Sequence, residues 1–283
     1  MCNISYQIHH ATASANSIIY NQNKMQKITL SNHAIIGVSD KFDGNMRVFT
    51  NIDERTIIDN QTKLANTIAL PPSKVARVHV DYNHRDNFTV YQEITQNNIE
   101  PYSIINPESQ IPLVDGFITR DSNIGFLLPL ADCLGIVVLD ETKHIIGLVH
   151  AGRHNVEQDG PKKFIEYFIT KFNSQADTLK IYFSPCAQNY EIFSLDHQKL
   201  PIIAKNQLIS AGVLPNNIIE SKIDTATNPD YPSNSSGDTT LRFAIATRMI
   251  DWQPNLVHVF QDTKNGGDMW TWTTDLVIIS DAL

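Results

Sequence analysis

Two apolar runs in the middle of the chain are bounded by residues that bind metals or do nucleophilic chemistry. Cys133 precedes Leu134–Asp140, His150 closes the run from His144, and Asp140-Glu-Thr-Lys143 joins the two. Runs that are apolar on both faces suit central buried strands. A two-residue turn at Glu141-Thr142 would pair Asp140 with Lys143 and, by continuation, Cys133 with His150. Directly opposed Cβ atoms lie about 4.5–5.5 Å apart, near enough for two ligands on one metal or for a thiol and its base. The plainer alternative is a core cysteine beside a hydrogen-bonded histidine. His79, at the end of Val75–Val80, is a third candidate, set against an ordinary strand-end histidine. Asp132 points away from Cys133 in strand geometry and reads either as a carboxylate serving the site or as a strand terminator. Arg153, three residues beyond His150, is either an anion-binding or a surface arginine. His84 and His154 read as exposed polar residues and Cys186 as buried packing. Trp252, Trp270 and Trp272 read as core or edge-strand aromatics, and Gly266-Gly267 as a turn.

The elements that would position these residues follow from periodicity. Strands are expected at His33–Ser39, Val75–Val80, Phe88–Gln92, Val114–Thr119 and Leu179–Phe183, besides the central pair. Ile57–Leu70 carries a helical stripe, preceded by Asp53 and Glu54 and stopped by Pro71-Pro72. A second stripe, Phe164, Ile165, Phe168, Ile169 and Phe172, predicts a helix over Pro161–Phe172. Further helices are expected near 196–211 and 239–250, and strands at Leu256–Phe260 and Trp270–Ile279. Strands and helices mix without strict alternation. The expected class is therefore α+β, a layered sandwich of mixed β-sheets with flanking helices. Residues 1–30 read as a weakly patterned lead-in, and residues 31–283 as one catalytic domain with an extension after about 250.

Composition narrows the function. The chain has 283 residues, 42% apolar and 18% charged, an ordinary globular balance. No apolar run approaches the roughly 20 residues of a membrane span, and the N-terminus lacks a signal-peptide pattern. A net charge of −8 argues against nucleic-acid binding by general electrostatics. Three cysteines, an odd number, suit a reducing cytoplasm better than a disulfide framework. No phosphate-loop or dinucleotide glycine pattern occurs.

The string Pro129-Leu-Ala-Asp132-Cys133-Leu-Gly-Ile-Val-Val-Leu-Asp140, followed by Val149-His150-Ala-Gly152-Arg153, resembles the core of the YfiH-type family. That family, called polyphenol oxidase or laccase-domain, is described as purine nucleoside phosphorylase; its signature runs V-A-D-C-x-P-V-L-L-x-D, then A-H-A-G-W-R-G. Gly37-Val-Ser39 resembles its G-V-S-T-R opening, Arg77-Val-His79 its Q-V-H-G, Asp115–Thr119 its D-A-L-V-T, and Ser184-Pro-Cys186 its G-P-A-I-G. The resemblance covers residues 30–250. Departures are clear: G-W-R-G reads Gly152-Arg-His-Asn155, Val80 replaces a glycine, and a late arginine-rich segment reads Ser233-Asn-Ser-Ser236, with Thr240-Leu-Arg242 resembling the T-G-R that follows.

The resemblance implies a YfiH-like fold, similar also to the catalytic domain of the cytotoxic necrotizing factor toxins. It implies that His79, Cys133 and His150 are zinc ligands, copper fitting less well because no paired H-x-H motif occurs among the ten histidines. The implied reaction converts adenosine or inosine and phosphate to free base and ribose 1-phosphate, with Arg153 and Arg242 on phosphate. Cys133, His150 and Asp132 would be catalytic, Asp132 as the proton-moving carboxylate of an accompanying adenosine deamination. Purine nucleoside and phosphate are the expected partners, with no nucleic acid or membrane, on a monomer or small homo-oligomer. A metal-free Cys133–His150 thiol hydrolase or deamidase and a non-catalytic metal-binding relative are the alternatives.

Overall fold

The computed structural model describes residues 18–19, 25–47, 53–83 and 85–250. His84, the tryptophans, the Gly266-Gly267 turn and the two C-terminal strands expected beyond 250 lie outside the described residues.

In chain order the strands and helices are β1 (Ile18–Ile19), β2 (Gln26–Leu30), β3 (Ala34–Val38), α1 (Glu54–Thr67), β4 (Val75–Arg77), β5 (Tyr91–Glu93), β6 (Gly116–Thr119), β7 (Gly125–Leu130), β8 (Leu134–Asp140) and β9 (Ile145–Ala151). Then come α2 (Arg153–Glu157), α3 (Gly160–Phe172), β10 (Lys180–Phe183), β11 (Glu191–Ile192), β12 (Gln198–Lys199), α4 (Leu200–Ser210), β13 (Ile218–Glu220) and β14 (Phe243–Met249). One six-stranded sheet has the order β1-β2-β3-β14-β7-β4 and a second the order β13-β10-β8-β9-β6-β5; β11 and β12 pair separately.

Alternation along the strands builds the layers. On β8, Val137 and Leu139 pack with Phe126, Leu128 and Ile245 of the first sheet. Leu134, Ile136 and Val138 pack instead with Phe164 and Phe168 of α3 and Ile203 and Leu208 of α4. The outer face of the first sheet is covered by Leu64 and Ala65 of α1 and by Ile68, which caps it. The fold is therefore an α+β sandwich, helix on sheet on sheet on helices, and sequence reasoning gave its class correctly.

Three local expectations are corrected. The central turn spans Glu141–His144, because Asp140 pairs with Ile145 rather than Lys143. Asp140 Oδ1 accepts the Lys143 N–H at 3.0 Å and the Thr142 hydroxyl at 2.8 Å, and His144 takes a left-handed φ of 52°. Gly135, not Cys133, therefore opposes His150. A shift of two residues keeps the face, since side chains alternate with period two; Cys133 packs with the cluster between the sheets, where Gly135 also faces. Second, Phe243–Met249, inside the expected helix 239–250, is a strand held between β3 and β7. Burial of Phe243–Thr247 on both faces outweighs the helical preference of its alanines. Third, Gln26–Leu30, within the stretch read as a lead-in, hydrogen-bonds to β3. No helix among the described residues is long and apolar enough to cross a membrane.

Candidate active site

At the end of the sandwich where β8 begins and β9 finishes, the strands deliver Cys133 and His150 into a cavity of about 490 Å³. Cys133, in the bend just before β8, and His150, on β9, are joined by a third residue that the sequence did not single out. The Tyr82 hydroxyl lies 3.4 Å from His150 Nε2 and 3.8 Å from Cys133 Sγ. Gly152 makes this proximity sterically feasible. A Cβ there would sit 2.7 Å from His150 Cε1 and 3.0 Å from Cys133 Sγ. Burial holds the His150 imidazole neutral, its pKa pushed down to about 3, with Arg47 and Arg85 acting in the same sense. Burial also raises the Cys133 thiol, and Tyr82's hydrogen bond works against that rise.

His79 lines the same cavity, but its ring has other partners. Nδ1 is 2.9 Å from the Ile111 carbonyl oxygen, and Nε2 is 3.5 Å from Glu108 Oε1. Burial lowers its pKa as well. The structure thus draws two of the three expected donors together and leaves the third on the adjoining wall. Among the described residues, no three His, Cys, Asp or Glu side chains are gathered as a metal cluster. The donor types nevertheless suit a borderline-soft cation: a thiol and imidazoles kept in the neutral form that coordinates.

Asp132 has the left-handed φ of 75° and is buried. Its Oδ1 accepts the Thr225 hydroxyl at 2.9 Å and its Oδ2 the Ser235 N–H at 2.6 Å. Its carboxylate is therefore committed to a loop whose Asn234 and Ser235 line the cavity. Arg153 and Arg242 both reach the cavity wall. Arg153 donates to His154 Nε2 at 3.0 Å, and Arg242 donates to the Leu241 carbonyl at 2.6 Å.

Two charged residues escaped sequence reasoning. Arg47 donates through Nε to Glu108 Oε1 at 2.9 Å and through a terminal nitrogen to the Val80 carbonyl at 3.0 Å. Buried Glu108 also lies 4.0 Å from the buried guanidinium of Arg77. Nothing in the local sequence near Arg47 or Glu108 marks them, since their partners are more than 25 residues away. His154, read as an exposed polar residue, instead lines the cavity and stacks on Phe88 at 4.7 Å between ring centroids. Cys186 is buried, its thiol pushed up to about 12 chiefly by burial, and it is packing as expected.

The fold is similar to those of the hypothetical protein YfiH from Bacillus licheniformis and of YlmD from Geobacillus stearothermophilus. The first is 15% identical, with a TM-score of 0.70 over 82% of this chain and 99% of that one. The second is 17% identical, with a TM-score of 0.71 over 83% and 100%. A purine nucleoside phosphorylase of Corynebacterium glutamicum is 26% identical over 101 residues. The match spans 36% of each chain, so this chain covers only about a third of that relative's length. Residues 34–198, more than half of the chain, match the family described as multi-copper polyphenol oxidoreductase laccase, and the chain belongs to that family.

Proposed function

We propose that the protein is an enzyme that cleaves purine nucleosides with phosphate, releasing free base and ribose 1-phosphate, at the cavity containing Cys133 and His150. The observation that carries this reading is the composition of the cavity lining: metal-type donors, four arginines and polar loop residues converge on a space of about 490 Å³. That volume falls in the usual range of small-molecule sites. The partial similarity to a phosphorylase of Corynebacterium glutamicum supports the choice of reaction.

Zinc is the proposed metal: Cys133 and His150 would hold it, and His79, whose Nδ1–H is committed to the Ile111 carbonyl, would complete the set through Nε2. When bound, zinc would supply a Lewis acid with an open position. The chain's own residues do the rest. Arg153, Arg242 and the newly identified Arg47 line the wall where an anionic phosphate would be attracted. Phosphate attack at the anomeric carbon expels the base as positive charge develops on the sugar. Glu108, facing Arg47 and His79, holds both in place. Asp132 is assigned a positioning role rather than a proton-moving one, because both its oxygens hold the Thr225–Ser235 loop. Adenosine deamination by way of Asp132 is accordingly less well supported than phosphorolysis. A metal-free thiol hydrolase is disfavoured by a thiol raised by burial and an imidazole too weakly basic to ionise it.

The test is metal quantification coupled to kinetics of variants. Wild-type protein is expected to carry about one zinc per chain, Cys133→Ala to lose both zinc and turnover, and Arg242→Ala to raise the KM for phosphate more than that for nucleoside. Zinc-replete protein inert on every purine nucleoside would refute the reaction.

A further inference from the structure

One wall of the cavity has a built feature that the proposed reaction does not yet use. Tyr82 is about half exposed, lines the cavity, and packs with Phe88 at 6.0 Å and His154 at 5.6 Å between centroids. Phe88 and His154 stack at 4.7 Å with planes 22° apart. The segment carrying these rings is strapped down. Arg85 donates to buried Asp115 at 2.6 Å and lies over the Phe88 ring at 4.8 Å. Asn155 donates to the Phe88 carbonyl at 2.6 Å, and the Phe88 N–H donates to Gln158 at 2.9 Å. Tyr82 is anchored at its tip by its approach to Cys133 and His150. His154 is held between Arg153 at 3.0 Å and Glu157 at 3.4 Å.

We infer that Tyr82, backed by Phe88 and His154, is the stacking face for the purine base and thereby a specificity-determining residue. This deepens the proposed nucleoside reaction and rests on it. A tyrosine whose ring is directed by neighbours and whose hydroxyl is engaged presents a flat apolar surface at little entropic cost. Every purine has a complementary π-face, and aromatic stacking is a large, sequence-independent contribution to base binding. The occupant is a purine rather than a simple phenol because the same cavity offers Asn234 and Ser235 for the polar edge of a base, and arginines for a phosphate beyond it. With its ring packed against Phe88 and His154 and its tip directed at Cys133 and His150, Tyr82 would also place the base beside the residues proposed to hold the metal.

Adenine binding, measured by titration calorimetry on intact protein, tests the inference without requiring turnover. Tyr82→Ala should weaken adenine about tenfold or more, whereas Tyr82→Phe, which keeps the ring and loses the hydroxyl, should stay within about threefold of wild type. Phe193→Ala, at an exposed site away from the cavity, should change nothing. In turnover, Tyr82→Ala should raise the KM for nucleoside and leave the KM for phosphate unchanged. Adenine bound by wild type and lost in Tyr82→Ala upholds the stacking face even if no ribose 1-phosphate forms, in which event only the reaction fails. Nucleoside turnover with an unaltered KM in Tyr82→Ala overturns the stacking face and leaves the reaction standing. Wild-type protein that ignores adenine, or takes catechol in preference to it, overturns the inference outright.

Discussion

Substituting alanine at Gly152 should disable the site while sparing the fold. The backbone there is extended, with φ −104° and ψ −178°, so alanine meets no conformational penalty. The added methyl group is the whole perturbation. It would lie 2.7 Å from His150 Cε1 and 3.0 Å from Cys133 Sγ, against the 3.4 Å at which ordinary contact begins. Relief requires His150 to retreat by about 0.7 Å and Cys133 by about 0.4 Å, in directions set by one intruding atom. Overpacking of this kind costs about 1–3 kcal/mol, or a fall in Tm of roughly 2–12 °C for a chain of this size. Displacement of reacting groups by about 1 Å costs on the order of a hundredfold in rate. Gly152→Ala should therefore melt as one cooperative transition, bind zinc poorly, and lose about two orders of magnitude in kcat. The assay pairs thermal unfolding with metal analysis and nucleoside turnover. Wild-type kcat and zinc content in folded Gly152→Ala would refute the claim that Cys133 and His150 must be this close.

Other outcomes follow from the same geometry. In metal-free protein, His150 keeps a pKa of about 3 folded but an ordinary value near 6.5 unfolded, so the unfolded state takes up the proton first as pH falls. Its contribution is complete above about pH 7 and declines through the window from 6.5 to 3, costing on the order of 1 kcal/mol between pH 7.5 and 5.5. His150→Gln should flatten that dependence in urea titrations at the two pH values, and an unchanged slope would contradict it. Asp132→Ala removes two hydrogen bonds accepted by the buried Asp132 side chain, about 3 kcal/mol together, and should lower Tm and loosen the Thr225–Ser235 loop to proteolysis. Asp132→Asn should recover most of the stability, because asparagine accepts a left-handed backbone and retains one acceptor. Glu108→Gln should weaken zinc retention or phosphate affinity with little change in the nucleoside KM, and a selective nucleoside effect would speak against its assigned place between Arg47 and His79.

Much of the scaffold could be read along the chain because its signals are local. The stripe from Phe164 to Phe172 predicts α3, and the two apolar runs predict β8 and β9. The central turn is two residues longer than the apolar pattern implies because Asp140 closes it through its side chain, a device that the backbone pattern alone does not reveal. The even shift left Cys133 and His150 on one face, which is why their association survived the error in register. Phe243–Met249 carries no local strand signal because its strand character comes from neighbours more than 100 residues away. Tyr82, Arg47 and Glu108 escaped for the same reason, since each acquires its place only when distant segments close around the cavity. Asp132 was visible as a polar residue beside Cys133, but its commitment to Thr225 and Ser235 depends on a loop 93 and 103 residues later.

The most direct measurement is product identity. Purified protein, its zinc content determined on the same sample, is incubated with inosine in the presence and absence of phosphate, and hypoxanthine, ribose and ribose 1-phosphate are quantified. Hypoxanthine and ribose 1-phosphate should appear in equal amounts, only with phosphate, and neither should appear with Cys133→Ala. Free ribose formed without phosphate, or no base released by zinc-loaded protein, would contradict phosphorolysis at this site.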